Sequence, residues 1–260
     1  MVSEVMTLMA ASGRTPRPGV IWTRPERAGR GPRPAHSRAE IAAAAVRIAD
    51  ADGLDAVSMR RVAAEVGAGT MSLYNYVPRK EDLHELMVDE VSTEYDLETP
   101  LTGDWAADVL GLAEQARDLM RRHPWLPRMA DSTAYGFTPN ALRYLERFLT
   151  ALDPLDLPPG TKLELLAAVT NTVAGYVTNE LAMAERARTL PWSEAEEQAV
   201  RGAYLGEQLG TGKFPRLAQT LAGAGAGVES VDYEAAFRRS LKRVLDSFAL
   251  EAGGGQTSAT

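Results

Sequence analysis

Between Ser58 and Lys80 the chain reads SMRRVAAEVGAGTMSLYNYVPRK, and few folds accommodate that stretch. Met59, Val62, Ala63 and Val66 recur at i, i+3, i+4 and i+7, which is one apolar stripe on a short helix. Ser58 stands just before it, where a hydroxyl can accept from an unpaired backbone N–H. Gly67-Ala68-Gly69 breaks the helix, and Gly67 suits the left-handed residue that ends many helices. Thr70 is a second N-cap candidate, opening a helix through Met71 to Val77. Leu73 and Val77, four apart, point inward together and leave Thr70, Met71, Ser72, Tyr74, Asn75 and Tyr76 facing out. Pro78 ends this helix and can begin the next, because its missing N–H is unneeded in a first turn.

Two short helices about a glycine turn follow the helix-turn-helix plan, whose second helix enters the DNA major groove. Asn75, Thr70 and Ser72 can hydrogen-bond base edges, and the methyls of Thr70 and Met71 can meet a thymine methyl. Tyr74 and Tyr76 carry hydroxyls that reach phosphates, and Arg60, Arg61 and Lys80 bracket the unit with positive charge. The same spacing also suits an ordinary helical hairpin with polar outer faces.

Extended to Leu83, the stretch resembles the DNA-binding signature of the tetracycline-repressor (TetR) family of bacterial transcriptional regulators, with a match from about Ser37 to Met87. The resemblance implies that Thr70, Met71, Ser72, Asn75 and Tyr76 are recognition-helix positions. It also implies that Tyr74 and Lys80 contact phosphates, and that Ser58 and Arg60 contribute from the preceding helix. Gly69-Thr70-Met71-Ser72 departs from the pattern as an unusually small and neutral start. With no Arg or Gln there, no guanine contact is assigned. The family's long eighth helix and final helix, here about 161–187 and 232–250, would pair with their symmetry mates into a four-helix dimer interface. A homodimer on palindromic operator DNA, released by a small-molecule effector, is the implied function. A ligand-independent or activating regulator is the alternative, and from another class a helical enzyme or binding protein that does not bind DNA.

The formal charge of −7 at first disfavours a nucleic-acid partner, but its distribution restores one. Residues 1–80 hold twelve bases against seven acids, or +5; the remaining sixteen bases and twenty-eight acids give −12. A basic end on an acidic body places the electrostatic footprint at the N-terminus and orients the approach to DNA.

Residues 1–36, rich in Arg, Pro and Gly, read as a flexible basic arm. Arg30 and Arg33 would lie in a minor groove, as homeodomain arms do, or the arm is a solvated tail. Ile21 and Trp22 form an apolar island that could pin it. Ser37 with Glu40 is a capping box for a helix burying Ile41, Ala44, Ala45, Ile48 and Ala49, ended by Asp52-Gly53. Another helix from Lys80 turns Leu83, Leu86, Met87 and Val91 inward, completing a DNA-binding domain over 37–91.

The second domain, 92–251, is expected to be a helical bundle for ligand binding and dimerisation. Its helices are read over 104–123, from Thr138-Pro139 with Leu142, Leu145, Phe148, Leu149 and Leu152 on one side, and over 161–187. The last of these carries a stripe of Leu163, Leu166, Ala167, Thr170, Ala174, Val177 and Leu181. Pro191-Trp192-Ser193-Glu194 caps a further helix toward Leu209, and Asp232 caps a final one. The glycine-rich stretch 210–231 reads as a mobile loop and 252–260 as a disordered tail. No segment after residue 37 alternates with period two, so the fold class is all-α.

A cavity among such helices is a natural small-molecule site. Its candidate residues are Trp125, Met129, Tyr135 and Phe137 in the break after the first helix of this domain, and Asn171, Tyr176, Asn179 and Met183 along the long one. Each also suits core or dimer interface. Without cysteine, disulfides and thiolate sites are excluded. His84-Glu85 begins a zincin-like pattern, but Val88 stands where the second His belongs, and the three His are far apart. No metal, cofactor or enzymatic activity is expected. The opening residues make a poor signal peptide and no membrane span is evident, so the cytoplasm is the expected compartment.

Overall fold

The computed structural model describes residues 20–24, 36–129, 137–224 and 232–254, and every regular element among them is helical. The N-terminal unit comprises α1 (Arg38–Asp52), α2 (Met59–Glu65), α3 (Thr70–Tyr76) and α4 (Lys80–Ser92). Ser37 caps α1 by accepting from the Glu40 N–H, and the Glu40 carboxylate accepts in return from the Ser37 N–H at 2.8 Å. All five predicted inward residues of α1 are buried. Its alanines let α4 lie close against it.

Ser58 caps α2, accepting from the Arg61 N–H at 3.2 Å. Gly67, at φ 74, makes the turn, and the Ala68 N–H reaches back to the Ala63 carbonyl at 2.8 Å. A side chain at that φ would be strained, which is why the turn falls on glycine. The N-cap of α3 is Gly69 rather than Thr70, which is the first helical residue. Pro78 likewise precedes α4 without entering it. Arg79 caps the helix, and the buried Asp82 carboxylate accepts from the Arg79 N–H at 3.1 Å.

The C-terminal part comprises α5 (Trp105–Arg122), α6 (Pro139–Ala151), α7 (Pro159–Thr189), α8 (Glu194–Gly210), α9 (Pro215–Ala224) and α10 (Tyr233–Gly254). Asp104, Thr138, Ser193 and Asp232 cap α5, α6, α8 and α10 through their side chains. The expected loop over 210–231 contains α9, whose Leu217 and Leu221 share a face that its surrounding glycines hide from a composition-based reading. Likewise, α10 continues to Gly254, so 252–254 are helical rather than tail.

On α7 the fully buried stripe is Leu165, Val169, Val173 and Val177, of which only Val177 belongs to the predicted one. The helix carries apolar residues on more than one face, and the predicted face turns largely toward a cavity. On α6, Leu142 is exposed and Ala141 takes the inward place. One apolar core runs through both parts, because Leu86, Met87, Val88 and Val91 of α4 are buried together with α5 residues such as Val109 and Leu112.

Candidate DNA-contacting helix and effector cavity

Helix α3 stands on Leu73 and Val77, both fully buried, and presents the rest of its surface outward. Met71 is 80% exposed, and Ser72, Tyr74 and Asn75 are exposed beside it, while Thr70 is half-buried. Tyr76 is only half-buried in the same sense: its ring packs on the core and stands edge-on to His36 at 6.5 Å. Arg60 and Lys80 are exposed on the flanks, as is Ser58, whose cap role leaves its O–H able to donate. Arg61 is neutralised by an ion pair with Asp52. Of the predicted DNA-facing residues of 58–80, Thr70 and Tyr76 are thus half-buried and the others exposed.

Ile21 is fully buried in a 3-10 turn over Ile21–Thr23, so this island does dock on the N-terminal unit. The Arg38 guanidinium donates to the carbonyls of Ile21 and Arg24 at 3.0 Å each, and to that of Tyr76 at 3.4 Å. It ties the docked turn to the end of α3. Arg30 and Arg33 lie outside the described residues.

A cavity of 420 Å³ opens between α4, α5, α6 and α7, within the usual range for a drug-sized ligand. Val88 and Ser92 of α4 form part of its wall, so the helix that packs under the DNA-binding unit also touches the cavity. Tyr95, just beyond α4, stacks on Tyr144 of α6, with ring centroids 4.2 Å apart and planes at 30°. Thr170 and Asn171 of α7 add polar groups.

Of the candidates chosen from sequence, Phe137 and Asn171 line this cavity, and Tyr135 lies outside the described residues. The other five lie elsewhere. Trp125 is buried with its indole N–H donated to Asp50 of α1 at 2.7 Å. Met129 is buried in the 3-10 turn Leu126–Met129, and it is Leu126 that reaches the cavity. Tyr176 spans to α10, with its hydroxyl 2.8 Å from Ser240 Oγ and its ring edge-on to Phe237. Asn179 and Met183 are exposed on α7, away from the cavity wall, with the Asn179 side-chain N–H 3.5 Å from the Tyr233 hydroxyl of α10. Sequence reasoning sought polar and aromatic residues on two segments only. It therefore missed Ser92, Tyr95 and Tyr144, which lie in the same domain but outside those two segments.

Trp125 belongs to a polar clamp between the two parts. Buried His123 places Nδ1 2.8 Å from Asp50 Oδ1 and Nε2 2.9 Å from Glu94 Oε1. Burial alone would raise Glu94, but hydrogen bonds from His123 and Arg122 outweigh it and hold the carboxyl below its usual range. Arg128 adds a paired contact to Asp55. Behind the cavity, buried Arg117 of α5 lies 4.1 Å over the Phe237 ring and pairs with Glu180 of α7 and Glu234 of α10. These contacts fasten the cavity-bearing helix to α1 on one side and to α7 and α10 on the other. Among the described residues no group of three or more His, Cys, Asp or Glu could hold a metal ion, and no helix is long and apolar enough to cross a membrane.

The model of bacterial regulatory proteins of the tetR family matches residues 41–87, and that of the tetracyclin repressor-like C-terminal domain matches 99–250. The chain belongs to the TetR family of DNA-binding transcriptional repressors. It is similar to the HTH-type transcriptional repressor DrrR1 of Streptomyces coeruleorubidus, 36% identical over 76% of this chain and 74% of that one. An HTH-type transcriptional regulator of Saccharopolyspora erythraea is 31% identical over 91% of this chain and 94% of its own length. Among solved structures, apo ActR of Streptomyces coelicolor is 25% identical with a TM-score of 0.71, covering 86% of this chain and 99% of that one. ActR in complex with actinorhodin is 24% identical with a TM-score of 0.66, covering 85% and 99%.

Proposed function

We propose that this TetR-family regulator represses transcription as a homodimer on a palindromic operator, and that a small molecule in the cavity between α4 and α7 releases it. The observation that carries this reading is the double role of α4, which packs against α1 and also walls the cavity through Val88 and Ser92. An occupant that displaces α4 also displaces α3 relative to its symmetry mate, and a two-fold reader tolerates little change in half-site spacing. Inverting a 99:1 population takes a preference of about 10⁴-fold for one state, so the occupant must gain contacts only where α4 has moved. That ActR is solved in complex with actinorhodin and with (S)-DNPA supports a small-molecule effector.

In this reading Met71, Ser72, Asn75 and Thr70 meet base edges. Tyr74, Tyr76, Ser58, Arg60 and Lys80 hold phosphates, with Arg30 and Arg33 of the arm as added contacts. The outer faces of α7 and α10 meet the second copy, and the complex works in the cytoplasm.

Selection of bound sequences from a random DNA pool, at stated salt, tests the first half. Enrichment of a palindrome, lost by about tenfold or more in affinity in Asn75→Ala with the fold intact, is the expected result. No enrichment from folded protein at low salt would overturn the DNA-binding reading. Failure of every cavity ligand to release the selected DNA would overturn the release mechanism.

A further inference from the structure

The described wall of the cavity carries no charge, and that restricts what can enter. Among its described wall residues there is no Asp, Glu, Lys, Arg or His; the polar side chains are Ser92, Thr170, Asn171, Tyr95 and Tyr144. Several charged residues that stand next to wall residues along the helices are engaged elsewhere. Asp89, beside Val88, accepts from the backbone and side-chain N–H groups of Asn140. Glu94, beside Tyr95, is held by His123 and Arg122. Arg117, beside Ala116, is held by Glu180, Glu234 and the Phe237 ring. Arg143, beside Tyr144, pairs with Glu98.

An ionic ligand would lose its hydration in this space and find no counter-charge on these walls, and such burial is strongly unfavourable. The stacked Tyr95–Tyr144 pair and Phe137 at the mouth, 67% exposed, offer aromatic surface for offset or edge-on packing. Ser92 donates its own hydroxyl hydrogen to the Val88 carbonyl at 2.7 Å, so toward the cavity it can only accept. We propose that the effector is an uncharged aromatic molecule, with hydrogen-bonding groups at the end that faces Thr170 and Asn171. The proposal rests on the reading of this cavity as the effector site.

The test is a matched probe pair: N-phenyl-1-naphthylamine, which is neutral, and 8-anilino-1-naphthalenesulfonate, the same skeleton with a sulfonate. Each is titrated by fluorescence into the full-length protein and into two variants that fill the cavity, Ala167→Phe and Leu163→Trp. Folding of each variant is checked by circular dichroism, so that one folded variant suffices. The neutral probe is expected to bind at least thirtyfold more tightly than the sulfonate, and to lose at least tenfold in either variant. Equal or tighter binding of the sulfonate, lost in the variants, would overturn the uncharged class and leave the cavity reading standing. Binding of the neutral probe that the variants do not weaken, or no binding of either probe, would overturn both. Neutral-selective binding without release of selected operator DNA would support the ligand class and overturn only the release mechanism.

Discussion

Helix α1 is 15 residues long and buries seven side chains, four of them alanines; α7 is 31 residues long and buries four. The contrast reflects what each helix packs against. Small residues on α1 let α4 and α2 approach from several sides, leaving a reader unit whose outward face is held by a filled core. On α7 one stripe enters the core, a second borders a cavity, and Tyr176 and Glu180 reach α10 and α5. The N-terminal unit thus resists deformation, while the C-terminal part keeps an unfilled volume beside the one helix, α4, that both share. A regulator needs that division: one half must hold a shape complementary to DNA, and the other must change shape at low cost.

The largest test of this contrast compares Leu73→Ala with Leu166→Ala. Leu73 is fully buried under α3 and surrounded on all sides, so its truncation should cost about 2–5 kcal/mol of stability. Leu166 borders the cavity and already lacks packing partners on that side, so it forfeits fewer contacts. Denaturant unfolding should show the Leu166 variant losing about half as much or less. Equal losses would mean that the cavity closes up in solution and that the two cores are alike.

What could be read from sequence follows the same division. The caps at Ser37 and Ser58, the Gly67 turn and the inward pair Leu73 and Val77 are local features, spaced within one or two turns of chain, and all were legible. The cavity was not. An unfilled volume is created by several helices meeting imperfectly, and its wall draws Val88 and Ser92 from a helix that sequence reasoning read as a connection between the two domains and not as a lining of the cavity. Trp125 misled for a related reason. An aromatic residue among apolar neighbours fits a ligand site as well as it fits a clamp, and only tertiary placement beside Asp50 of α1 decides between them.

That clamp supplies the next test. The Asp50 carboxylate accepts from the Trp125 indole and faces His123, so Asp50→Asn weakens both contacts at once. A loss of about 1–3 kcal/mol is expected by denaturant unfolding. If the clamp links the halves, operator release should need more effector in the variant than in the wild type. A variant that loses stability but keeps its release curve would place the coupling in α4 alone.

Acid should divide the two parts as well. Burial alone would raise Glu94 and Asp108 of the C-terminal part, but hydrogen bonds outweigh it and hold both below the usual carboxylate range: from His123 and Arg122 for Glu94, and from Thr102 and Gly103 for Asp108. Glu180, where Arg121 and Arg117 outweigh burial, is held down in the same way. Groups depressed in the folded state contribute stability that is present above the unfolded value and is lost as pH falls through the folded one. Glu85 on α4 is raised, chiefly by burial and then by Asp82, so acid relieves it instead. Below about pH 4, stability should therefore drop, and the drop should begin in α5 and α7. Hydrogen exchange followed by mass spectrometry resolves the order, and earlier loss of protection in α1 and α4 would contradict it.

The smallest effect comes from one motif used twice. Ser37 and Ser193 form the same capping box, with Glu40 and Glu196 returning a bond to the cap N–H at 2.8 Å in each case. The local chemistry is equal, and so is the local cost of Ser→Ala, about 1 kcal/mol. The contexts are not equal. Helix α1 is packed into the core, whereas α8 packs chiefly on α9 and leaves Val200, Tyr204 and Leu205 exposed. Helix ends in a cooperative core report to global unfolding, while those outside it open locally. Ser37→Ala should therefore lower global stability by about 1 kcal/mol. Ser193→Ala should leave the unfolding midpoint where it is and only speed amide exchange in the first turn of α8. Should Ser193→Ala instead shift the midpoint as far as Ser37→Ala does, α8 is part of the cooperative unit. The apolar residues it exposes in the single chain must then be covered in solution.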